Sequence, residues 1–76
     1  MNNIQKAIQT LAKEYKTDLI RKVDENLQGE PIIFLKNSSK TIIEIVIDAS
    51  GRFFQTAVFP ITSELLDEMK KGEKLI

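Results

Sequence analysis

The segment Thr41-Ile42-Ile43-Glu44-Ile45-Val46-Ile47 constrains this chain more than any other. All of it except Glu44 is β-branched. Such side chains are stiff at χ1 and pack well on a pleated surface, so the run predicts a strand. A strand apolar on both faces belongs in the middle of a sheet, with material on each side. Turn chemistry sets its neighbours. Asn37-Ser38-Ser39 reads as a turn that joins it to an earlier strand, Pro31-Ile32-Ile33-Phe34-Leu35-Lys36. Asp48-Ala49-Ser50-Gly51 has Asp first and Gly fourth, as a type I turn prefers. With Gly51 left-handed, this suits a three-residue hairpin loop with a bulge. It leads into Arg52-Phe53-Phe54-Gln55-Thr56-Ala57-Val58-Phe59, ended by Pro60. The expected sheet is a three-stranded antiparallel meander whose first and third strands are edges.

Residues 3–28 contain neither Gly nor Pro and read as helical. At about 100° per residue, Ile4, Ala7, Ile8, Leu11, Ala12 and Tyr15 fall on one stripe. Leu19, Ile20, Val23 and Leu27 fall on a second, rotated stripe. The mismatch predicts a break near Lys16-Thr17-Asp18, giving either two helices, the second capped by Thr17, or one bent helix. Gly29 then reads as the C-terminal stop, with Pro31 forbidding continuation. After the third strand, Thr62 reads as the cap of a short helix. Ile61 and Leu66 are placed as a hydrophobic staple, Leu65, Leu66 and Met69 form the apolar side, and Gly72 ends the helix. The fold class is therefore α+β with the order α(α)βββα, residues 1–76 forming a single domain and residues 73–76 either a loose tail or one docked through Leu75 and Ile76.

Strand alternation sorts the side chains into two faces. Ile43, Ile45 and Ile47 share one face, and pairing Asp48 with Arg52 adds Phe53, Gln55, Ala57 and Phe59 to it. The other face holds Ile42, Glu44, Val46, Phe54, Thr56 and Val58. The first face is nearly all apolar and calls for helical cover. The second is half apolar and is covered by the short helix or presented to a partner.

Composition closes several chemistries. The 76 residues contain no Cys and no His, which removes disulfides, thiolate sites, the commonest metal ligand and the commonest general base. Ser and Thr are left without their usual activating partner. Glu44 and Asp48 share a face but sit about 13 Å apart along a strand, too far for a carboxylate pair. Asp67 and Glu68 are neighbours on a helix and diverge. Gly29, Gly51 and Gly72 are explained as turns or caps, and no phosphate-binding loop is formed. No catalytic residue, metal or cofactor is expected, and the chain is not expected to be an enzyme. Eleven basic and eleven acidic residues balance. That balance lacks the bulk charge of a duplex-DNA binder. The N-terminal residues lack an apolar leader core and the apolar stretches are strand-sized, which points to a cytoplasmic protein without a membrane span.

Two surfaces remain as candidates. The third strand runs from Phe53 to Phe59 without charge or proline, so Phe53, Phe54, Gln55, Thr56 and Val58, with Glu44 beside them, are the expected partner-binding residues. Lys6, Lys13 and Lys16 on the first helix and Arg52 next to Phe53 and Phe54 are the alternative, a grip on single-stranded nucleic acid. Strand, Pro60, Ile61, Thr62 and helix together resemble the sheet-then-helix ending of the single-strand-binding domains of the positive-cofactor family. The resemblance covers about the last third of the chain, lacks that family's run of basic strand residues, and implies single-strand binding. Small neutral chains of this kind are also similar in size and style to phage and mobile-element proteins that inhibit a host protein. The richness in Ile and Lys points the same way, to a bacterial or phage source. The expected function is a non-enzymatic protein-binding module, a regulator or inhibitor acting through a sheet edge or face, as a homodimer or with a host protein. The alternatives are a weak single-stranded nucleic-acid binder and a structural subunit of a larger complex.

Overall fold

A computed structural model of the chain describes residues 2–76. The order of elements is α1 (Asn3–Tyr15), β1 (Ile20–Glu25), β2 (Pro31–Lys36), β3 (Thr41–Ile47), β4 (Phe53–Pro60), α2 (Ser63–Lys71) and β5 (Glu73–Lys74). The strands form one antiparallel sheet in the order β4-β3-β2-β1-β5. The chain is therefore α+β, but with five strands in place of three.

The break after Tyr15 is where the shifting apolar stripe places it. Asn2 opens α1 with a capping box, its side chain accepting from the Gln5 amide at 2.8 Å while Gln5 reaches back to the Asn2 amide. Lys16 closes the helix in the left-handed conformation, at φ 50°. The expected second helix is absent, and a strand takes its place. Residues 20–25 form β1, which pairs with β2 through a bulge between Lys22 and Asp24. Consequently β2 is an interior strand, not an edge. Gly29 does not stop a helix; it closes the β1–β2 hairpin at φ 77°. The Gly29 amide donates to the Asn26 carbonyl and the Asn26 amide to the Glu30 carbonyl, both at 3.0 Å. Asp48 and Gly51 close the β3–β4 hairpin in the same way, at 2.9 and 3.0 Å, as their spacing predicts.

Of the two readings of the tail, the structure has the docked one at Leu75 and adds a short strand before it. Glu73 and Lys74 pair with Lys22 and Arg21, and Leu75 packs on the core. Gly72 ends α2 as expected, with its amide on the Met69 carbonyl.

The helices take opposite sides of the sheet. Ala7, Ile8 and Leu11 of α1 are buried with Ile20, Ile33, Leu35, Ile43, Ile45 and Ile47, flanked by Ile4, Ala12, Tyr15 and Phe53. On the other side, α2 lies near β1, and Leu65 faces Ile32 and Phe34 across a shallow depression. Ile42 and Met69 are fully buried outside the main cluster and serve this second side. The Arg21 guanidinium donates to the Lys70 carbonyl at 3.4 Å, a cation at the negative end of α2.

The two faces of β4 differ from the simple alternation. Ile47, Val46 and Ile45 face Phe53, Phe54 and Gln55, but Glu44 faces Ala57, Ile43 faces Val58 and Ile42 faces Phe59. Thr56 is the extra residue of a bulge. One inserted residue exchanges the faces of everything beyond it. Val58 therefore joins the α1 side, while Ala57 and Phe59 join the α2 side, the reverse of uniform alternation. The Phe59 ring meets Phe34 there, with centroids 5.8 Å apart.

Candidate protein-binding surface

The sheet has two unequal edges. One is β5, two residues long, both charged. Short charged strands are a common way to blunt an edge. The other is β4, eight residues from Phe53 to Pro60 with no charge among them. The hairpin sets which of its backbone groups are free. The Asp48 amide donates to the Arg52 carbonyl at 2.9 Å, so the next hydrogen-bonded pair is Val46 with Phe54. Alternation then turns the N–H and C=O groups of Phe53 and Gln55 away from β3.

The side chains beside this edge are those singled out in the sequence. Phe54 is 52% exposed on the α2 side and Val58 is 52% exposed on the α1 side. Gln55 and Thr56 are exposed. Phe53 behaves differently: it is partly buried against the α1 core and anchors β4. Glu44 is half-buried, and its carboxylate accepts from the Thr56 hydroxyl at 2.8 Å. The six candidates thus gather along one strand and its neighbour, with Phe53 inward, Glu44 half-buried and the other four toward solvent.

The basic candidates do not converge with the aromatic ones. Lys6, Lys13 and Lys16 are exposed on α1, whereas Phe54 lies on the opposite side of the sheet. Arg52 is engaged within its own turn. Its Nε lies 3.3 Å from Asp48 Oδ2 and donates to the Ser50 hydroxyl at 3.2 Å. Asp48 in turn accepts from the Ser50 hydroxyl and from the Ser50 and Arg52 amides. The Ser50 hydroxyl first, then these amides and the Arg52 charge, hold its carboxyl below the usual carboxylate range.

Among the described residues, no group of three or more acidic, His or Cys side chains is arranged to hold a metal. No helix among them is long and apolar enough to cross a membrane. Sequence reasoning missed β1 and β5, and with them the depressions that flank α2. The marker for β1 was the Asn26…Gly29 spacing, which repeats Asp48…Gly51. Comparison with protein-family models, curated proteins and solved structures finds no match to this chain.

Proposed function

We propose that this chain is a non-enzymatic protein-binding module that works by adding a strand to β4, with a second copy of itself as the occupant. The observation that carries the reading is the pair Phe54 and Val58. They are half exposed on opposite faces of the sheet, beside one open edge. A strand added there covers both at once and satisfies the outward groups of Phe53 and Gln55. A surface partner laid on either face covers only one of them.

Two physical reasons favour a second copy. A chain of this length buries a small core, and joining two sheets enlarges it. Antiparallel pairing of β4 with itself is two-fold symmetric and closes after two chains. The bulge at Thr56 interrupts the edge and confines the ladder to short stretches, which favours one register over open-ended stacking.

Light scattering after size exclusion tests the reading, with Gln55→Pro as the variant. Proline removes an amide that faces away from β3, so it spares the β3–β4 ladder and blocks the added strand. The mass of the wild type should be twice that of the variant. A regulator or inhibitor role fits a small module of this kind, and capture of a host protein by the dimer is the experiment that bears on it.

A further inference from the structure

The α2 side of the sheet carries a second surface, which lies beside the β4 edge and takes Phe59 and Pro60 of β4 into its floor. Helix α2 covers that side incompletely and leaves two adjoining depressions of about 610 and 360 Å³, which share Leu65 and Glu68. Their floor is apolar: Phe59, Pro60 and Leu65 in one, Val23, Ile32 and Phe34 in the other. The exposed Phe54 lies on the same side, since it pairs with Val46 and Val46 with Ile32.

The rim is acidic. Glu64, Asp67 and Glu68 come from α2, Asp24 from β1 and Glu44 from β3, against one lining cation among the described residues, Lys71. Nearly half of the eleven acidic residues of the chain therefore surround one groove. The neutral total conceals this, because Lys6, Lys13 and Lys16 lie on α1, on the opposite side of the sheet. Arg21, on β1, reaches the C-terminal end of α2, where it donates to the Lys70 carbonyl.

We propose that this groove docks a cationic amphipathic segment of a partner protein, with large apolar side chains set among lysines or arginines. The apolar floor takes the anchors and the carboxylate rim selects the charge. The same rim repels nucleic-acid phosphates and anionic lipid headgroups, so those partners are disfavoured on this face. The proposal stands on the groove alone and does not require β4 pairing.

The test uses fluorescence anisotropy with a labelled helical peptide of leucine and lysine, about 18 residues long so that it forms several turns. Its controls are oligolysine of equal length and the same peptide with glutamate for lysine. The full chain is compared with Glu68→Lys, an exposed rim change, and with Gln55→Pro, each checked for folding by circular dichroism. The leucine–lysine peptide should bind saturably and weaken as salt rises. Glu68→Lys should weaken it by about tenfold or more, because the change reverses a charge shared by both depressions. Gln55→Pro should leave it unchanged, and amide shifts should move at Phe34, Phe59, Leu65 and Glu68. Oligolysine binding as tightly, full affinity in Glu68→Lys, or loss of binding in Gln55→Pro alone would each overturn the groove as the site.

Discussion

The Thr56 hydroxyl lies 2.8 Å from a carboxylate oxygen of Glu44 and 3.2 Å from the Glu44 carbonyl. This contact pins the bulge that decides which side of the sheet Ala57, Val58 and Phe59 occupy. Thr56→Val keeps the branched shape and removes the hydroxyl. It should cost about 1 kcal/mol, the usual net worth of such a hydrogen bond. Urea unfolding reads the loss. An unchanged midpoint would mean that pairing on either side holds the bulge without help from Thr56.

Ile45 is 1% exposed and sits in the core between α1 and the sheet. Ile45→Ala should destabilise by about 2–5 kcal/mol through lost transfer energy and a residual cavity. A chain of this size holds roughly 4–11 kcal/mol in all, so the loss is a large fraction of the total stability. A urea midpoint near that of the wild type would contradict the position of β3 in the core.

Gly29 and Gly51 close matching hairpins but differ in their surroundings. An added Cβ at Gly29 meets nothing within 4 Å, whereas one at Gly51 would lie 2.8 Å from the Asn3 carbonyl oxygen. Both have positive φ, at 77° and 88°. Gly29→Ala should therefore cost only the left-handed strain, about 1 kcal/mol. Gly51→Ala should cost about 2–4 kcal/mol, because the start of α1 must also move. Equal losses in thermal or urea unfolding would show that the hairpin tip and α1 are not in contact.

Much of this architecture is written in local chemistry. The apolar stripe of α1, the Asp48…Gly51 turn, the Thr62 cap and the interior place of β3 between β2 and β4 all depend on near neighbours, and each is legible residue by residue; the middle of the five-stranded sheet is β2, not β3. Residues 20–25 were not, for a physical reason. Ile20 and Val23 fit a helical spacing, and the bulge between Lys22 and Asp24 hides the period of two that marks a strand. Leu27, counted in the apolar stripe, is in fact fully exposed at a hairpin tip. Propensity yields here to sheet pairing with β2. The face exchange at Thr56 was hidden for the same reason, since a bulge is a relation between two strands. The candidate edge at Phe53–Val58 was legible because its freedom from charge is a property of the sequence itself. The groove beside α2 was not, since β1 supplies part of its floor and rim.

Asp48 supplies a pH dependence. Its carboxyl titrates below the usual range, held there by the Ser50 hydroxyl, the Ser50 and Arg52 amides and the Arg52 charge. A depressed folded-state pKa means that the ionised form stabilises the fold. That stabilisation is fully present above the ordinary carboxylate value of about 3.9 and is lost as pH falls through the lower folded value. Asp48→Ala should thus be less stable than the wild type at neutral pH, with the gap narrowing in acid. Urea titrations at neutral pH and well below the carboxylate range measure it, and a gap independent of pH would contradict the assignment.

The β4 edge is tested most directly by the solution mass of the wild type and of Gln55→Pro, measured by light scattering at tens of micromolar chain. Strand addition through β4 predicts twice 8.7 kDa for the wild type and a single chain for the variant. One chain for both proteins, or two chains for both, would contradict it.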